Sequence, residues 1–163
     1  VYSRAAEPGE WAVTGTFLFF GADVDMLAGK ERQAFRAGFL GIKSFGWSTL
    51  VVVTEATEKE RADAVEALAG QLVAYCGAPG MDAARPAAEE EIAFAESLCD
   101  HPPNTLLALH RSGEATGVRE TFRTLHRKIA RLDPAQAFRM IEVEEEDEDM
   151  EEVDIRTLAR GTD

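Results

Sequence analysis

Apolar and polar positions repeat with different periods along the chain. From Trp11 to Phe20 they alternate, with Trp11, Val13, Gly15, Phe17 and Phe19 on one side and Ala12, Thr14, Thr16, Leu18 and Phe20 on the other. A period of two predicts a strand with the first set facing the core. Val1 to Arg4 reads as the end of a preceding strand, which implies residues upstream, and Pro8-Gly9 breaks the chain between them, so an N-terminal antiparallel hairpin is expected. Ser48 to Thr54 is a continuous apolar, β-branched run. It is the strongest strand signal in the chain and is expected to be a central strand covered on both faces. Thr105 to His110 predicts a short strand, and Phe138 to Val143 a last one.

Helical spacing fills the intervals. Asp23 or Asp25 is placed to cap a helix over about Val24 to Ala37, with Leu27, Ala34 and Phe35 inward and Gly38 as its C-cap. Thr57-Glu58-Lys59-Glu60 matches the capping box and opens a helix that should end at Gly77. Another helix is expected from about Pro86 to Cys99, stopped by His101-Pro102-Pro103-Asn104. Val118, Phe122, Leu125, Ile129 and Leu132 form a stripe that predicts a helix from Val118 to Leu132. The resulting order, β-β-α-β-α-α-β-α-(β), predicts an α+β fold: a two-layer sandwich whose mixed, mostly antiparallel sheet carries helices on one face.

Charge changes this picture at the C-terminal end. The chain has 163 residues and a formal net charge of −13, and residues 142–163 hold 11 acidic and two basic residues, a net of −9. We therefore expect a single domain over 1–143 and an acidic tail over 144–163, too charged to fold by itself. Net acidity argues against nucleic acid as a partner. No run of 18 apolar residues is present, so no membrane span is expected, and there is no basic-plus-apolar leader. Two cysteines, Cys76 and Cys99, make no disulfide framework. They fit free thiols in a reducing, cytoplasmic compartment, with a single bridge as the alternative.

Candidate chemistry is sparse, and each motif has a plain structural explanation beside the functional one. Gly38-Phe39-Leu40-Gly41-Ile42-Lys43-Ser44 has the composition of a phosphate loop but not its spacing, and it leads into a strand, so a structural turn is the better account. Ser48 lacks the G-x-S-x-G frame of a nucleophile elbow. Cys99, His101 and His110 carry metal-binding side chains without paired ligand spacing, so neither a metal nor a cofactor is expected. Arg119, Arg123, Arg127 and Arg131 recur every four residues, which on a helix makes a basic ridge. Such a ridge is either a solvated face or a grip for carboxylates, those of Glu142–Asp154 included. Phe45 and Trp47, in a glycine bend, serve the core or line an interface.

Two functions from different classes follow. The first is a non-catalytic interaction or accessory protein, self-associating or holding a protein partner, with Phe45, Trp47 or the arginine ridge as its surface. The second is a small enzyme or ligand-binding module whose site lies where His110 and Arg111 end the 105–110 strand, with Glu114 or Cys99 converging on it. No catalytic residue is assigned in either case.

Glu7-Pro8-Gly9-Glu10-Trp11-Ala12-Val13, Arg36-Ala37-Gly38-Phe39-Leu40-Gly41 and Ser44-Phe45-Gly46-Trp47-Ser48 together resemble a family of small proteobacterial proteins classed as a domain of unknown function. The resemblance covers mostly residues 5–55 and brings no catalytic residue with it. Proteins of that family tend to be encoded near molybdenum-enzyme and formate dehydrogenase accessory proteins, so the resemblance implies an accessory role.

Overall fold

The structure is a computed structural model and describes residues 2–127, 143–146 and 153–154. Its strands are divided between two antiparallel sheets. The first is β1 (Ala12–Val13), β2 (Phe39–Gly41) and β3 (Trp47–Ser48), in that order, with Val13 opposite Leu40 and Leu40 opposite Trp47. The second is β4 (Leu50–Val52), β5 (Leu106–Glu114), β6 (Gly117–Arg127) and β7 (Val143–Glu146), with β8 (Val153–Asp154) also paired to β6. The helices are α1 (Gly29–Ala37), α2 (Glu58–Tyr75) and α3 (Met81–Ser97), and short 3-10 turns cover Thr16–Phe19 and Val24–Met26. The class is α+β. None of the helices among the described residues is long and apolar enough to cross a membrane.

The larger core joins Val13, Leu40 and Ile42 to Leu68 and Leu72 of α2 and Ile92 of α3. A smaller one gathers Phe39, Val53, Leu107 and Leu109 under the second sheet, with Leu98 and Phe122 packed against it. Helix α2 begins where the capping box places it. The Glu60 N–H donates to Thr57 Oγ1 at 3.2 Å, and the Thr57 N–H donates to the Glu60 carboxylate at 2.7 Å. Helix α3 starts at Met81, before the position expected, and holds Pro86 within it at the cost of one backbone hydrogen bond.

Four sequence expectations are corrected. The alternating run from Trp11 holds as a strand only through Val13, because Gly15 takes a left-handed φ of 72° and turns the chain into a 3-10 helix. A Cβ at Gly15 would sit 2.6 Å from Leu40 Cβ, so no other residue fits this crossing without a shift. Strand β1 then pairs with β2, and the N-terminal segment instead makes a parallel bridge from Ala5 to Trp47. The valine-rich run forms an edge strand, not a central one. Val53 is buried, but Leu50 and Val52 on the opposite face are 41% and 46% exposed.

The stretch from Val118 is strand β6, not a helix, and pairs with β5 along its length through the tight turn at Ala115-Thr116. Positions four apart share a face in a strand as well as in a helix, so Val118 and Phe122 satisfy both periods. The β-formers Thr121, Phe122 and Thr124, cross-paired with β5, decide the outcome. Residues 128–132 of the expected helix lie outside the described residues, as does the expected last strand except for Val143, which opens β7.

Candidate functional site

Strand alternation places Arg111 on the inner face of β5, directly across from Glu120 on β6. Both side chains are sealed, at 0% and 1% exposure, and Arg111 Nε lies 2.8 Å from Glu120 Oε1. The same Nε donates to Thr16 Oγ1 at 2.9 Å, and the Thr16 hydroxyl donates to Glu120. Nη2 donates to the Thr14 carbonyl. Nη1 reaches the carbonyls of Ala34 (3.3 Å), Phe35 (3.0 Å) and Gly38 (2.9 Å) at the end of α1. A cation is favoured there because these carbonyls are the negative end of the helix. Burial pulls the Arg111 pKa below its ordinary value, and the Glu120 carboxylate opposes that shift. Every nitrogen of the guanidinium is committed to the protein, so this cluster holds three parts of the chain together.

Glu91 on α3 faces the same ion pair. Burial, with the Glu120 and Glu90 carboxylates beside it, pushes its pKa up to about 7, and Arg111 offsets only part of the shift.

A second feature is open to ligands. A cleft of about 670 Å3 runs between the first sheet, the edge of β4 and the end of α3. Its walls mix apolar and polar groups, with Trp11, Phe39, Val52, Leu98 and Leu107 among the apolar ones. Carboxylates of Glu7, Glu10, Glu55, Glu60 and Glu96 stand along it, and among the described residues no lysine, arginine or histidine lines it. Glu10 is anchored in the wall. Its carboxylate accepts from the Lys43 N–H (2.8 Å), the Ser44 N–H (2.9 Å), the Ser44 hydroxyl and the Glu7 N–H (2.6 Å). Partial burial works against its charge, but these bonds, led by Ser44, hold its pKa below the usual carboxylate value. The glycine-rich stretch that resembled a phosphate loop thus converges its amides on the protein's own carboxylate.

The other candidates from the sequence are dispersed. His110 is exposed on the outer face of β5, opposite in direction to Arg111. Glu114 pairs with Arg119 at 3.0 Å near the hairpin turn. Cys99 lines the cleft, and its thiol pKa is raised by burial and then by Glu96. Cys76 is raised by burial, and both thiols are free. Phe45 stacks on Tyr75 at 5.5 Å, and Trp47 packs on Phe19 at 5.4 Å. Neither lines the cleft.

Arg119 and Arg123 share a face of β6, now by the strand period. Two acidic tail segments pair with this strand through their backbones, Val143 opposite Arg127 and Asp154 opposite Arg119. Among the described residues, no three His, Cys, Asp or Glu side chains are grouped to hold a metal ion. Sequence reasoning missed Glu10, Glu91 and Glu120. A hairpin reading of 106–127 would have set Arg111 across from Glu120, while nothing local marks the other two.

No curated protein and no solved structure matches the chain. The model of DUF6505, a family of unknown function, matches residues 1–146, and the chain belongs to that family.

Proposed function

We propose that this protein is a non-catalytic binding protein, an accessory or interaction module that holds part of a partner in the cleft between its two sheets. The cleft carries this reading: about 670 Å3 and lined by both apolar and polar side chains, it has the size and chemistry of a ligand site. The strongest ionic group, Arg111 with Glu120, is spent on internal bonds. Cys99, the thiol that lines the cleft, is held toward its protonated form, which suits a wall more than a nucleophile.

Binding of a neutral solvatochromic dye tests the reading. Saturable one-to-one binding is expected, with energy transfer from Trp11 in a Trp47→Phe background. Leu50→Arg, at a cleft residue that is 41% exposed, should weaken it at least ten-fold while the melting temperature holds. Dye binding that is absent, or indifferent to Leu50→Arg, would overturn the assignment of the cleft.

A further inference from the structure

We propose that the occupant of the cleft is an extended peptide segment of a partner protein, alternating basic and apolar residues, which adds as a strand to the outer edge of β4. This deepens the binding reading and rests on it.

Leu50, Val51 and Val52 all line the cleft, although successive side chains of a strand point to opposite faces. A cavity that touches all three runs along the strand's edge. Trp11 to Thr14 line it consecutively in the same way, so the edge of β1 forms the opposite wall. Strand β4 has β5 on one side and no other strand beside it among the described residues. The Val53 N–H donates to the Thr105 carbonyl at 2.8 Å, so Val53 and Val51 turn their backbone groups toward β5. By alternation, Leu50 and Val52 turn theirs to the cleft. The Leu50 carbonyl accepts from Ser48 Oγ at 2.7 Å, and Val52 presents both an N–H and a C=O.

Edge strands are normally blunted by charge, proline or a bulge. Thr49-Leu50-Val51-Val52-Val53-Thr54 has neither charge nor proline. Left bare, six such residues promote aggregation, so the edge calls for a cover. A strand supplies both the backbone partners and alternating side chains, as in other cases of strand addition. Charge selects its composition. Among the described residues five carboxylates and no cation line the cleft. Glu10 and Glu60 are held by backbone N–H groups, and Glu96 pairs with Arg61 at 2.8 Å. That leaves the Glu7 and Glu55 carboxylates for lysine or arginine on the strand, with apolar side chains between them.

The test is fluorescence anisotropy of the full chain with a labelled, end-capped hexapeptide of alternating lysine and valine. Saturable binding is expected, weakened at least ten-fold by N-methylation of the valines, by exchange of lysine for glutamate, and by Val52→Pro. That substitution removes the outward N–H and leaves the β4–β5 ladder bonded. The N-methylated peptide keeps the test valid should Val52→Pro fail to fold. Equal binding of the glutamate or N-methylated peptides would overturn the proposal. Dye binding in the cleft without peptide binding would overturn it while leaving the broader binding reading intact; loss of both would remove the two together. Two other outcomes reassign the edge and also overturn the proposal. Dimerisation abolished by Val52→Pro, without peptide binding, would give it to a second copy. Peptide binding seen only in an Ile155→Ser/Leu158→Ser chain would give it to the chain's own C-terminal stretch.

Discussion

Arg111 and Glu120 sit opposite each other on neighbouring strands, 2.8 Å apart, closed to solvent and outside the lining of the cleft. A buried pair of this kind contributes little net stability over an apolar pair, yet removing one member leaves the other charge uncompensated. Arg111→Met should therefore cost about 3–5 kcal/mol in urea unfolding, and Arg111→Met/Glu120→Leu should recover most of that loss. A double variant as unstable as the single one would show that the carbonyl contacts at the end of α1 dominate.

Glu91 sets a pH dependence. Its folded pKa near 7 lies above the ordinary carboxyl value of 4.5, so as pH rises from 4.5 the unfolded chain releases this proton first. Stability from this group is then lost as pH rises between about 4.5 and 7, by up to about 3 kcal/mol. Glu91→Gln should match the parent at pH 4.5 and exceed it at pH 8. Paired denaturation curves at the two pH values measure the difference, and equal curves at pH 8 would sink the assignment.

Thr124 Oγ1 is buried and has no hydrogen-bond partner among the described residues. Thr124→Val keeps the shape and removes the unsatisfied hydroxyl, so a gain of about 1 kcal/mol is expected. A loss by thermal denaturation would mean that the hydroxyl has a partner in solution.

Removal of residues 142–163 would take β7 and β8 from β6. The uncovered strand edge should lower the melting temperature by several degrees and promote self-association, read by scanning fluorimetry and gel filtration. Because β6 is basic and the tail acidic, added salt should lower the melting temperature of the full chain more than that of the truncated one.

Local signals in the sequence were legible. The capping box at Thr57 and Glu60 needs only residues three apart, and α2 follows from it. The α+β class follows from the order of elements. Strand β6 was misread because Val118 and Phe122 satisfy two periods at once, and the choice between them is made by β5 across the sheet. The surroundings of Arg111 were invisible for the same reason: its partners come from Thr14, Thr16, Ala34, Phe35, Gly38 and Glu120, up to 97 positions away. The cleft is likewise made by segments distant in the chain, so no run of residues announces it.

One guanidinium also closes the end of α1, where a left-handed glycine would often serve; Gly38 instead stays extended at φ −93°. The helix of nine residues is too short to persist alone in water, and its last carbonyls find this partner only after the β5–β6 hairpin has formed. Its final turn and the hairpin should therefore open as one cooperative unit. Amide hydrogens of both would exchange with solvent at a common, slow rate, and Arg111→Met would release the helix amides first.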